Sequence, residues 1–167
     1  ALHDRDVDLA AIQGIRDEFR RLADADPSNA WLQQDLALAE RLYAMSLLQA
    51  DEVEAALVVS RQYHERISAV ASKAGRATLR LNAALIADTY GLLLDATGNP
   101  ARAAEVWSGA LRTLAAEPAE SPGLPQRALT ARLMARFGRT DEAQRLADDL
   151  RRNGYADPRL PLPPDLP

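Results

Sequence analysis

The sequence predicts an all-α fold, and three observations lead to that prediction. Alanine and leucine, which are strong helix formers, dominate an apolar content of 47%, whereas aromatic residues make up only 5%. Apolar residues recur at intervals of three and four along most of the chain. Glycine and proline separate these periodic segments, and no segment alternates in the manner of a β-strand. We therefore expect about seven helices joined by short connections.

The first helix is predicted to run from Asp4 to Ala23. It ends before Pro27, because the residue that precedes a proline is pushed out of the α region. An apolar stripe on this helix consists of Ile12, Ile15, Phe19 and Leu22.

The second helix is predicted at residues 30–50, with Ser28 or Asn29 as its N-cap. The third helix begins at its own cap, Asp51, and ends near Gly75, which can adopt the left-handed conformation. The apolar positions of the second helix are Trp31, Leu38, Leu42, Met45 and Leu48.

The fourth helix, predicted at residues 77–97, is apolar around most of its circumference. A helix of this kind is normally buried, so we expect it to be the central helix of the core. Gly98 ends it, and Pro100 occupies the first position of the fifth helix, where a missing N–H is harmless. The fifth helix should reach about residue 116.

A proline-rich loop at 117–125 precedes the last two helices, which are predicted at 126–137 and 141–152. The remaining residues are rich in proline and can only be extended or polyproline-like. We therefore divide the chain into a helical domain at 1–155 and a proline-rich tail at 156–167.

Short stretches of the chain are variants of one unit: a glycine, a polar turn, and an alanine five residues after the glycine. Two clear copies start at Gly98 and Gly138, and a looser third copy starts at Asp51. Internal repetition of helix pairs is typical of stacked helical hairpins, which usually bind other molecules.

These units resemble tetratricopeptide repeats, in which a small residue packs between two helices and an alanine lets the second helix approach. The resemblance covers most of residues 12–154 and implies a right-handed solenoid of antiparallel hairpins. The copies are 47 and 40 residues apart, whereas the family repeat is about 34 residues long. The matching positions are Gly91, Gly98, Ala103, Trp107 and Ala110, then Ala131, Gly138, Ala143, Ala147 and Leu150, and more loosely Ala44, Asp51, Ala56, Ser60 and Tyr63.

The same resemblance implies that the first helix of each hairpin lines a groove that holds a protein or peptide. Arg132 and Arg136, one turn apart, can hold a carboxylate together, or they can be solvated surface residues. Met45 and Leu92 can equally belong to the core. The groove positions in this register include Arg41, Met45, Asp88, Leu92, Asp95, Arg132 and Arg136.

Trp31 has two interpretations, because it is a large residue near a helix start with polar neighbours. It is either an exposed binding anchor, of the kind enriched at interface hot spots, or it packs across the first two helices.

No constellation in the sequence predicts catalysis or a cofactor. There is no cysteine, and the two histidines, His3 and His64, offer no zinc spacing and no nucleophile–base pair. Asp88 and Asp95 are two helical turns apart, about 10 Å, but surface or groove carboxylates fit a repeat helix better than an acid–base pair. We therefore predict a non-enzymatic domain without metal or cofactor.

The net charge of −4 argues against a nucleic-acid partner. The charge is uneven: residues 1–60 carry −7, residues 61–120 carry +1 and residues 121–167 carry +2. No apolar run approaches the 18–20 or so residues that span a bilayer, and no signal peptide is visible. Because the chain begins at Ala1, we expect a mature form or a domain of a larger protein, in a compartment that the sequence leaves open.

These observations predict a non-catalytic scaffold or sensor domain that binds a protein or peptide. The segment 26–37 is similar to arrays in bacterial signalling proteins, among them membrane-anchored serine/threonine kinases and transcriptional regulators, so we expect a larger signalling protein as its context. Two alternatives stay open. One is a homo-oligomerisation module, for example one that forms a homodimer. The other is a helical domain that holds a small ligand in a cavity near the fourth helix.

Overall fold

The computed structural model describes residues 2–74, 77–116 and 123–156. Within these ranges all regular structure is helical, which confirms the predicted fold class. The predicted terminator Gly75, most of the loop at 117–125 and all but the first residue of the tail lie outside the described residues. The helices are α1 (Leu2–Ala25), α2 (Ala30–Gln49), α3 (Val53–Ala74), α4 (Ala77–Ala96), α5 (Pro100–Ala115), α6 (Leu124–Arg136) and α7 (Thr140–Arg152).

Each helix packs against the next one along the chain, and α4 has the most neighbours. It contacts α2, α3, α5 and α6, as its all-round apolar sequence predicts. The helices α2, α4 and α6 therefore lie side by side, with α4 in the middle. Among the described residues, α3 and α5 both pack on α4, and their backbones do not approach one another closely.

Four helices end in the same backbone turn. Asp51, Gly98, Gly138 and Gly154 have φ values of 66°, 81°, 69° and 77°. In each case the next residue donates its N–H to the carbonyl five residues earlier, which is the Schellman pattern. Aspartate is one of the few residues other than glycine that tolerate this left-handed conformation.

The position of Asp51 corrects one prediction. The sequence suggests Asp51 as the N-cap of α3, but in the structure it terminates α2, and α3 begins two residues later at Val53. Asp51 thus occupies the turn position that Gly98 and Gly138 occupy in the other two units. The looser copy therefore has the same turn geometry as the clear ones.

The small residues of the unit are buried in all three copies. Ala56, Ala103 and Ala143, each five residues after the turn, are all 0% exposed. In the middle copy the packing is close enough to require glycine, since a Cβ on Gly91 would lie 2.1 Å from Nε1 of Trp107. The second-helix positions are also buried, at Ser60, Tyr63, Trp107, Ala110, Ala147 and Leu150.

The amino-terminal half contains one confirmed helix cap and one exposed residue of the predicted apolar stripe. Asn29 caps α2, because its Oδ1 accepts hydrogen bonds from the N–H groups of Trp31 (3.1 Å) and Leu32 (3.3 Å). Ile15, which belongs to the apolar stripe of α1, is 53% exposed. Its neighbour Arg16 instead reaches toward α2.

Candidate interaction surface

The helix α2 carries a line of exposed apolar side chains. Exposed apolar residues are ordinary when scattered singly, but a contiguous group is typical of an interaction surface. Their spacings of seven, four and three place them along one side of the helix. They are Trp31 (65% exposed), Leu38 (44%), Leu42 (51%) and Met45 (38%), and we call them the α2 stripe.

The α2 stripe exists because α2 has apolar residues on two sides. One side, which includes Leu36, Ala37, Ala44 and Leu47, is buried. The helices α1, α3 and α4 pack against α2, and the stripe stays exposed in their presence.

Sequence reasoning found part of this surface. It proposed Met45 as a groove residue and Trp31 as a possible anchor, and the structure exposes both. It treated Leu38 and Leu42 only as apolar positions of a packed helix. Their position around the helix axis could have identified Leu38 and Leu42 as exposed. Both lie on the same side of α2 as Met45, whereas the buried Leu36 and Leu47 lie on the opposite side.

Met45 and Leu92 occupy equivalent positions in two successive units. Each follows the small residue that packs against the second helix, and Leu92 is 42% exposed. The two helices that carry these residues, α2 and α4, are neighbours. The equivalent position of the third unit holds Arg132, so the residue there is charged and not apolar.

Asp88, Arg132 and Arg136 form a cluster that joins α4 to α6. Nη2 of Arg132 donates to Oδ2 of Asp88 at 2.9 Å, and Nε of Arg136 donates to Oδ1 at 2.7 Å. Asp88 is only 5% exposed and Arg132 only 7%. The Arg136 guanidinium also lies 5.2 Å from the centre of the Trp107 ring.

The carboxylate that the arginine pair holds is therefore one from the same chain. The cluster connects successive units, and its buried Asp88 is not presented to a partner. We leave Asp88, Arg132 and Arg136 out of the interaction surface. Asp95, the other candidate acid on α4, is exposed, so it does not share an environment with Asp88.

A second buried charged group, Glu40, joins α1 to α2. Its side chain is 0% exposed, and its Oε1 accepts from Nη2 of Arg20 at 2.5 Å and lies 3.8 Å from Nε of Arg16. The Arg16 guanidinium lies 4.2 Å from the centre of the Tyr43 ring. Burial raises the pKa of Glu40 to about 7, although both arginines lower it.

A small cavity of about 10 Å³ adjoins Glu40, between α2, α3 and α4. Oε2 of Glu40, Oγ of Ser60 and the hydroxyl of Tyr63 are buried and make no hydrogen bond to any described residue. The volume is enough for about one water molecule. Arg41, a predicted groove residue, is half-buried and lines this cavity.

The remaining chemistry of the described residues is limited. No group of three or more histidine, aspartate or glutamate side chains among them is arranged to hold a metal ion. No helix in the described ranges combines the length and apolar character needed to cross a bilayer. Burial lowers the pKa of His64 below its ordinary value of 6.5, so the ring is neutral at neutral pH.

None of the family models, curated proteins or solved structures compared with the chain gives a significant match.

Proposed function

We propose that this chain is a non-catalytic helical-repeat domain, of the tetratricopeptide type, that binds a segment of another protein. The observation that carries the proposal is the α2 stripe: four large apolar side chains, 38–65% exposed, on one side of one helix. Exposure of several large apolar side chains along one side of a helix is unfavourable unless a partner covers them. The repeated turn and the buried small residues support the repeat architecture, and the motifs quoted from the sequence support a signalling context.

The chemistry of the surface indicates the kind of segment it binds. A line of apolar residues along a helix suits an amphipathic helix, whose own apolar residues recur at i, i+3, i+4 and i+7. Residues 1–60 carry a net charge of −7, so basic residues beside the apolar face of the partner would be attracted. The proposed partner is therefore a basic amphipathic segment. On this chain, Trp31 is the aromatic anchor at one end of the contact, and Met45 and Leu92 lie at the other end.

The test is a selection of peptides from a random display library on the immobilised domain, followed by affinity measurements on synthetic peptides. Leu42→Asp places a charge in the middle of the stripe, and Ile15→Asp makes the same change at an equally exposed apolar residue of α1 (51% and 53% exposed). We expect Leu42→Asp to weaken peptide binding by about tenfold or more, as at interface hot spots, and Ile15→Asp to leave it unchanged. The proposal fails if the selected peptides bind both variants equally well, or if no peptide is enriched.

A second candidate function, pairing of two copies, rests on the spacing of the stripe. Trp31, Leu38 and Met45 recur every seven residues, which is the spacing of a helix–helix seam. Sedimentation velocity separates the two functions. A wild-type dimer that becomes a monomer in Leu42→Asp, but not in Ile15→Asp, would favour self-association over a foreign partner.

A further inference from the structure

One acidic residue interrupts the α2 stripe. Positions 31, 35, 38, 42 and 45 follow one another at intervals of four and three residues, so they lie within about 80° of one another around the helix axis. Four of these positions hold the exposed apolar side chains of the stripe, and the fifth holds Asp35, which is half-buried. The intervals are those of a helix–helix seam. A helix that lies along the stripe therefore meets Asp35 as well.

The carboxylate of Asp35 is not paired within the part of the chain that the structure describes. No described residue forms a hydrogen bond or an ion pair with it, whereas Glu40, the other acid of α2, is held by Arg20. Removal of a carboxylate from water is strongly unfavourable unless an opposite charge pairs with it. A partner that covers the α2 stripe must therefore bring a positive charge to Asp35.

A second copy of this chain does not bring that charge along the stripe. In a parallel pair in register, Asp35 faces Asp35 of the second copy, and like charges at one seam position repel. In an antiparallel pair that places Leu38 against Leu42, Asp35 faces Met45, and the carboxylate is buried against an apolar side chain. Both alignments leave Asp35 without an opposite charge, so it disfavours self-pairing through the stripe.

We propose that Asp35 determines which segment the stripe accepts: a foreign amphipathic helix with an arginine or lysine at the seam position that faces Asp35. This inference rests on the proposed protein-binding function and names the residue that sets its specificity. The basic side chain pairs with the carboxylate while apolar side chains of the same helix cover the stripe. Such a charge-assisted hydrogen bond is stronger than a neutral one, and arginine can form it through two donors.

The experiment is a selection on the whole immobilised chain from displayed amphipathic peptides of three heptads. Leucine occupies the seam positions, and in separate pools one seam position at a time carries all amino acids. We expect the wild type to enrich arginine or lysine over leucine by about tenfold in one of these pools. The variant Asp35→Lys reverses the charge, so it should enrich aspartate or glutamate at the same peptide position.

Two further variants show whether the effect belongs to this carboxylate. Glu65→Lys makes the same change of charge at an exposed position of α3, and it should select the same peptides as the wild type. Asp35→Asn retains the size of the side chain, and it should weaken the selected basic peptide by about tenfold. A peptide with glutamate in place of its basic residue should bind Asp35→Lys more tightly than it binds the wild type. Circular dichroism checks that each variant is folded.

The outcomes separate this inference from the proposed function. Enrichment of amphipathic peptides without a charge preference at any seam position would overturn the role of Asp35 and leave the proposed function in place. The same holds if Asp35→Lys and the wild type select the same residues, or if Glu65→Lys changes the selection as much as Asp35→Lys does. A selection that enriches no peptide refutes both. A wild-type dimer that dissociates in Leu42→Asp would also overturn the inference, because Asp35 would then permit self-pairing.

Discussion

Replacement of Glu40 by glutamine should change how stability depends on pH. Glu40 is completely buried and its carboxylate is held by Arg20 through one oxygen only. Its pKa is raised from an ordinary value of 4.5 to about 7, because removal from water disfavours the charged form more than the arginines favour it. Glutamine has nearly the same shape, retains the oxygen that accepts from Arg20, and cannot ionise.

The sign and size of the effect follow from this pKa. The folded state binds the Glu40 proton more tightly than the unfolded state, so ionisation destabilises the fold. The destabilisation is absent well below pH 4.5, grows as the pH rises, and is complete above about pH 7. Between pH 5 and pH 8 it should reduce the free energy of unfolding by about 2.5 kcal/mol.

The assay is urea denaturation of the wild type and of Glu40→Gln at a series of pH values from 5 to 8. The comparison of two proteins is necessary because His64 acts in the opposite sense: its lowered pKa makes the fold less stable as the pH falls. That contribution is common to both proteins and cancels in the difference. We expect the wild type to lose about 2.5 kcal/mol more than Glu40→Gln across this interval.

A control variant, Glu18→Gln, removes an exposed carboxyl whose pKa is lowered by its hydrogen bond to Arg21. Glu18 is ionised throughout the interval, so this variant should retain the wild-type slope. The reasoning is refuted if Glu40→Gln and the wild type give parallel curves. Parallel curves would mean that Glu40 ionises in the folded state as easily as in the unfolded chain.

Two further predictions use pairs of identical substitutions. Gly91→Ala should destabilise the fold by about 2 kcal/mol, because the new Cβ would lie 2.1–2.7 Å from atoms of Trp107. Gly109→Ala should instead stabilise the fold by about 0.5–1 kcal/mol. Thermal unfolding that shifts in the same direction for both variants would contradict this prediction. Asp88→Asn should cost about 3 kcal/mol, because it leaves two arginines without their buried carboxylate. Asp95→Asn, on an exposed part of the same helix, should stay within about 0.5 kcal/mol, and equal losses in urea denaturation would show that the cluster does not stabilise the fold.

The fold was largely predictable, because local signals determine where the helices begin and end. Gly98 and Gly138 end α4 and α6 in the positions that the sequence indicates, and Pro100 opens α5. The error at Asp51 has a physical reason. Aspartate is favoured both as an N-cap and in the left-handed turn that ends a helix, and only the fold decides between the two.

The chemistry of the predicted groove was less predictable, because it depends on which side chains meet across helices. The sequence left two interpretations of Arg132 and Arg136 open, a pair that holds a carboxylate or two solvated residues, and in the structure both donate to one carboxylate. The carboxylate, Asp88, lies 44 positions before Arg132 in the chain, and no local pattern connects them. The raised pKa of Glu40 is of the same kind, since it depends on burial by residues that are distant in sequence.

Two features of the molecule lie at positions where the three sequence units differ. The second helix of the middle unit has Trp107 at a position where the preceding unit has Ser60, and both residues are buried. The smaller side chain leaves the cavity of about 10 Å³ beside Glu40, so a polar cluster lies where the next unit has an indole ring.

A cavity of about 510 Å³ between α3, α4 and α5 has a comparable origin in the length of α3, which extends past the position where α5 ends. Ala71 is 20 residues after the turn at Asp51, and the equivalent distance from Gly98 passes the end of α5 at Ala115. The part of α3 beyond this position supplies Ala71 to the cavity wall. Differences between the three sequence units therefore account for the titratable cluster and for this cavity.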